Sequence, residues 1–152
     1  MPDPLIRRAT LDEVLPLRAA VLRAGKPTES ARMPGDELGA GVHWGAWIGD
    51  DLVACTSLYV ATVDGAPTTQ LRGAATREEV RGRGIGGALI EAALAAWRAD
   101  SNAPRPLWCN ARIAARTFYE QHGFVATSEP FEIPGIGTHL RMELREERGV
   151  DA

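Results

Sequence analysis

The residues best placed to do chemistry lie in one segment, Leu71-Arg72-Gly73-Ala74-Ala75-Thr76-Arg77-Glu78-Glu79-Val80-Arg81-Gly82-Arg83-Gly84-Ile85-Gly86-Gly87-Ala88. A strand-like run ends at Thr76, a charged stretch follows, and four glycines fall within residues 82–87, where an amphipathic helical pattern begins. Each glycine at a helix start costs about 1 kcal/mol relative to alanine. Four together make physical sense where a ligand must come close to backbone amides. Free N–H groups and the positive end of a helix attract an anion, and Arg81 and Arg83 add full charges. A pyrophosphate suits such a loop.

Two nucleotide sites compete for this reading. Gly82-x-Gly84-x-x-Gly87 satisfies the dinucleotide pattern, which also needs an acidic residue about twenty positions on, at the end of the next strand. That strand reads Leu107-Trp108-Cys109-Asn110-Ala111 and offers no acid. A P-loop fails as well, because no Gly-Lys-Ser/Thr follows. A dinucleotide site stays open as a reading that predicts NAD binding.

Arg81-Gly82-Arg83-Gly84-Ile85-Gly86 resembles the Arg/Gln-x-x-Gly-x-Gly/Ala loop of the GNAT superfamily of acyl-CoA-dependent N-acyltransferases. Ala115-Arg116-Thr117-Phe118-Tyr119-Glu120-Gln121-His122-Gly123-Phe124 is similar to a second feature of that family, Ala-x-x-x-Tyr-x-x-x-Gly-Phe. The resemblance covers nearly the whole chain. It implies an α/β (α+β) fold with a mixed, mostly antiparallel sheet, a central parallel pair of strands that splay apart, and helices on both faces. It also implies acetyl-CoA as donor, a small-molecule or peptide primary amine as acceptor, and direct attack without an acyl-enzyme intermediate. Backbone groups of Ala74, Ala75 and Thr76 would pair with the pantetheine arm. The amides of Arg81, Gly82, Arg83, Gly84, Ile85, Gly86 and Gly87 would hold the pyrophosphate. Tyr119 matches the family's general acid, a phenol whose ordinary pKa near 10 suits a thiolate leaving group.

Two departures qualify what the resemblance carries over. Many members have Asn three residues before the motif alanine, where this chain has Arg112; Asn110 lies close by and is the candidate substitute, with a turn-capping role as its alternative. The strand before the pyrophosphate loop carries Gln70 and Arg72 where a carboxylate base is frequent. His43, Glu132 and His139 are the other groups considered for taking the amine proton, and none is assigned. The Asp36-Glu37 pair could attract a cationic amine, although exposed loop acids ordinarily just keep a loop soluble. A non-catalytic acyl-CoA-binding sensor or interaction module is the alternative function.

Composition limits the other classes. The 152 residues suit one domain, with 45% hydrophobic and 24% charged residues as in a globular protein. Sixteen arginines accompany a single lysine, Lys26, yet the net charge is −3, which argues against a general nucleic-acid binder. Cys55 and Cys109 belong to no Cys/His cluster, so neither a disulfide framework nor a metal site is expected. No basic leader precedes an apolar stretch, and residues 85–97 are too short to span a bilayer. The expectation is a cytoplasmic protein without a membrane partner, whose closing strands offer an edge to a second subunit in a homodimer.

The elements that must position these residues follow from pattern. Residues 5–9 read as a strand, and Thr10-Leu11-Asp12-Glu13 as a capping box opening a helix that runs to about residue 24. Residues 25–41 read as a long loop with a turn near Asp36. Strands are expected at 43–48, 52–63, 68–76, 107–111, 124–133 and 139–144, with helices from Gly84 and over 113–122.

Overall fold

A computed structural model describes residues 3–145. One eight-stranded sheet runs through it, built from β1 (Leu5–Ala9), β2 (Val42–Ile48), β3 (Asp51–Val63), β4 (Ala66–Thr76), β5 (Leu107–Arg112), β6 (Phe124–Ala126), β7 (Phe131–Ile133) and β8 (Gly137–Leu144). The order is β1-β2-β3-β4-β5-β8-β6, with β7 also on β8. Every pairing is antiparallel except β4 with β5. The closing segment expected as one strand over 124–133 is two strands, because residues 127–130 leave the ladder before β7 pairs again on β8.

Among the described residues three α-helices cover the sheet: α1 (Leu11–Leu22), α2 (Ile85–Ala99) and α3 (Arg116–Gln121). The capping box forms as the sequence indicates: Thr10 Oγ1 accepts from the Glu13 amide at 3.2 Å, and the Glu13 carboxylate accepts from the Thr10 amide at 2.9 Å. On α2, Ile85, Leu89, Ala93 and Trp97 form a buried stripe flanked by Ile90 and Leu94, the 3.6-residue period of a helix lying on a sheet. α2 and α3 share one face of the sheet, where Leu71, Cys109, Leu140, Met142 and Phe124 complete the largest core cluster. α1 lies on the other, with Val14 and Leu17 packed on Cys55 and Ala75. β3 is buried along its middle on both faces, which explains its nearly continuous apolar run.

The parallel pair is short. Thr69 faces Leu107 and Gln70 faces Trp108, and there the pairing stops. Its start is pinned by Trp108 Nε1 donating to Thr68 Oγ1 at 2.8 Å and Trp97 Nε1 donating to Thr69 Oγ1 at 3.1 Å. Beyond Gln70 the strands part. Gly73, at φ +67°, makes a bulge that shifts the register of β4 on β3 between Cys55 and Ser57.

Candidate active site

The gap between β4 and β5 opens into a cleft of about 1130 Å³. One end is a glycine loop. The first intrahelical bond of α2 runs from the Ala88 amide to the Gly84 carbonyl at 3.0 Å, so the amides of Ile85, Gly86 and Gly87 have no partner within the helix. Gly84 caps the helix at φ +79° with no side-chain cap, and Gly82 sits at φ +82°. A Cβ on either would meet no atom within 4 Å. The loop is therefore open on its outer side and supplies bare donors at a positive helix end, the requirement for a pyrophosphate. Arg81 ties it to the strand, its Nε donating to the Thr76 carbonyl at 3.1 Å.

The sequence-derived residues converge here. Ala74, Ala75, Thr76, Arg81, Gly82, Gly84, Ile85, Gly86, Gly87, Asn110 and Tyr119 all line this one cleft, and Arg83 lies outside its lining. The departure of β5 leaves the β4 edge unpaired beside Ala74 to Thr76, a template on which an extended arm can pair as an added strand.

Tyr119 comes from α3, on the α2 side of the sheet. Its ring packs edge-on against Phe118 and Phe124, each with centroids 5.2 Å away. Among the described residues its hydroxyl has no hydrogen-bond partner. Burial, with a smaller contribution from Cys109, pushes the phenol well above its ordinary value. It therefore stays protonated, and is a weaker acid than the free side chain considered from sequence.

The opposite face carries a buried polar cluster that pattern reading missed. Arg18, on α1, has no exposed surface; its Nη1 pairs with Asp36 Oδ2 at 2.9 Å, and its Nη2 donates to Ser57 Oγ at 2.8 Å and Tyr59 Oη at 2.7 Å. Tyr59 in turn donates to Asp36 Oδ1 at 2.5 Å. Ser57 Oγ lies 2.6 Å from His43 Nδ1. Gly73 passes so close that an added Cβ would stand 2.9 Å from Arg18 Nε, a donor that is itself buried without a partner, and Arg18 is one of the residues around the cleft. The signal was present in the sequence. Arg18 follows Val14 by four residues, on the buried stripe of α1, and a charge there requires an internal partner.

These contacts correct several expectations. Asp36 is no solvated loop acid: it is 3% exposed and neutralises Arg18. His43 belongs to the cluster and does not line the cleft, and exposed Glu132 bonds Thr138 across its hairpin. His139 does line the cleft. Its Nδ1 lies 2.8 Å from the Gly137 carbonyl, which only accepts, so Nδ1 is the donor there and Nε2 is the ring nitrogen left to face a ligand. Cross-strand register puts His139 opposite Arg112, hence on the α1 face with Asn110 and Trp108.

Known proteins share this architecture. A family model described as an acetyltransferase (GNAT) domain matches residues 32–146. The uncharacterized N-acetyltransferase YitI of Bacillus subtilis (strain 168) is 27% identical over 140 residues, covering 90% of this chain and 93% of its own. Escherichia coli ElaA superposes with a TM-score of 0.71 at 21% identity, over 93% of this chain and 99% of its own. A GNAT family acetyltransferase from Elizabethkingia anophelis, solved with acetyl-CoA bound, superposes with a TM-score of 0.67 at 18% identity, over 96% and 100%. A splayed parallel pair, a bare glycine loop at a helix start and a sequence match over most of the chain lead to one conclusion: this protein belongs to the GNAT acetyltransferase family and is an acyltransferase.

Proposed function

We propose that the protein transfers the acetyl group of acetyl-CoA directly to the primary amine of an acceptor, and that it does so in the cytoplasm, where its two unpaired, buried cysteines suit a reducing compartment. The observation that carries this reading is the convergence of the unpaired β4 edge, the open glycine loop and Tyr119 on one cleft. Amides of residues 85–87 hold the pyrophosphate, and the β4 edge takes the pantetheine arm. Backbone N–H groups there polarise the thioester carbonyl and stabilise the oxyanion that follows attack.

As the amine nitrogen attacks, the new N–C bond forms and the C–S bond breaks. Nε2 of His139 accepts the proton lost by the amine, and Tyr119 donates its hydroxyl proton to the departing thiolate. Burial weakens Tyr119 as an acid, but the thiolate beside it is withdrawn from water too, which raises its own proton affinity.

Calorimetric titration with acetyl-CoA, CoA and NAD in parallel tests the donor, and an amine screen for CoA release tests transfer. Micromolar acetyl-CoA binding with no NAD response is expected. Binding of NAD in place of CoA would make the loop a dinucleotide site and remove the mechanism. His139→Gln is expected to lower kcat about 10²-fold or more while leaving the KM for acetyl-CoA unchanged; unchanged turnover would dismiss His139 as the proton acceptor.

A further inference from the structure

The acceptor's class follows from the charges around the cleft, given the acetyl transfer proposed above. The sequence holds twenty Asp and Glu residues, yet among the described residues none lines the cleft, while Arg18, Arg23, Arg32, Arg72, Arg81 and Arg112 do, together with His122 and His139. Two of the six are neutralised, Arg18 by Asp36 and Arg32 by Glu29. Arg81 is engaged at the glycine loop, and Arg23, the C-cap of α1, also has no carboxylate partner among the described residues.

Arg72 and Arg112 differ from these. Arg72 follows Gln70 by two residues on β4, and Arg112 follows Trp108 by four on β5, so they stand on opposite walls of the gap and share the α1 face. Arg72 Nη1 reaches the Pro34 carbonyl at 3.4 Å, and its guanidinium lies 5.0 Å from the centroid of the Tyr59 ring. A carbonyl and a ring orient that charge without cancelling it, and Tyr59 is itself fixed by Asp36 and Arg18. Arg112 is exposed and has no carboxylate partner among the described residues. Arg18 Nε adds a buried donor without a partner on the same side. Arg72 is removed from the pyrophosphate end: it precedes the end of β4 at Thr76 by four residues, up to about 13 Å of chain.

We propose that the acceptor is an amine that also bears an anionic group, a carboxylate in the first instance, gripped between Arg72 and Arg112. Guanidinium groups bind carboxylates through paired N–H donors. A polycationic amine would meet these uncancelled positive charges and no compensating carboxylate among the described lining residues. The same charges answer the question raised by the missing carboxylate base on β4. Nearby cations lower the pKa of a bound ammonium, so more of the acceptor is present as the neutral nucleophile before any residue takes a proton.

The test compares amines that differ only in charge. With acetyl-CoA as donor and rates referred to the concentration of neutral amine, L-phenylalanine is paired with L-phenylalaninamide and L-leucine with L-leucinamide, while O-phosphoethanolamine and spermidine supply a phosphate and a polycation. The expected result is a kcat/KM at least about tenfold higher for the amine with the extra anionic group, and loss of that preference in Arg112→Gln and Arg72→Gln with acetyl-CoA affinity within twofold of the parent. A higher rate with O-phosphoethanolamine than with the amino acids retains the anion and identifies it as phosphate. If acetyl-CoA binds and the anionic amines are acetylated no faster than the amides and spermidine, or not at all, the proposal is overturned. Failure of acetyl-CoA itself to bind would instead overturn the acetyl-transfer reading, and this proposal with it.

Discussion

The two ends of the cleft are built on opposite principles. The glycine loop at the start of α2 works through its backbone: bare amides, two left-handed glycines and open space where Cβ atoms would be. The α1 face works through side chains, with Arg18, Asp36, Ser57 and Tyr59 bonded into a buried cluster that holds Arg72 at the cleft. A donor with one fixed chemical structure can be recognised by backbone geometry alone. Recognition of an acceptor needs charge and shape that side chains supply, and those must be held rigidly to discriminate.

If that contrast is right, substitutions at the two ends fail in different ways. The largest effect belongs to neither end but to Tyr119, between them: Tyr119→Phe is expected to lower turnover about 10²- to 10⁴-fold while acetyl-CoA binds as before in calorimetry. Equal loss of binding would show that the ring's packing, and not its proton, matters. Next comes Asp36→Ala, which strands a fully buried guanidinium and is expected to cost about 3–5 kcal/mol in urea unfolding. A loss below about 1 kcal/mol would mean that the cluster is solvated and the contrast overstated. Gly84→Ala should do the reverse. Its folding cost is about 1–2 kcal/mol for a left-handed residue that touches nothing, yet acetyl-CoA affinity should fall at least about tenfold, because alanine disfavours the left-handed cap conformation that presents the amides following it.

The smallest effect is a pH dependence of stability confined to the α1 face. Burial first, and then the Arg18 charge, hold His43 below its ordinary 6.5. Below about pH 6.5 the unfolded chain binds a proton that the folded chain refuses, so stability falls as pH drops, with a slope of at most about 1.4 kcal/mol per pH unit. Asp36 adds a more acidic limb. Burial alone would raise its pKa, but hydrogen bonds from Tyr59, the Met33 amide and Arg18 outweigh it and hold the carboxyl below its ordinary 3.8. That contribution is complete above about pH 4 and is lost as pH falls through the lower folded value. Urea unfolding at pH 7 and 5.5 should show the first limb in the parent and a flatter profile in His43→Gln; identical slopes would remove His43 as its source.

Legibility in the sequence divides along the same line. The α2 stripe, the Thr10 capping box and the glycine loop depend on residues near one another in the chain, and their spacing alone specifies them, whereas Tyr119 was reached through the resemblance of residues 115–124 to a family motif. The cluster was harder to see because its members, Arg18, Asp36, Ser57 and Tyr59, are spread over forty-one positions on a helix, a turn and a strand. Arg18 could have been flagged by its place on a buried stripe, but its partner could not: Asp36 and Glu37 are adjacent acids in one loop, and only packing decides that Asp36 is buried while Glu37 stays exposed.

The sequence by itself thus determined the helix periods, the strand order around the glycine loop and the chemistry available there, because local spacing fixes which backbone and side-chain groups share a face. Tertiary structure alone decided where β4 and β5 part, which carboxylate cancels Arg18, and which arginines keep their charge. Each of these depends on contacts between segments far apart in the chain, where the cost of burying an unpaired charge selects one partner from several that the sequence leaves equivalent.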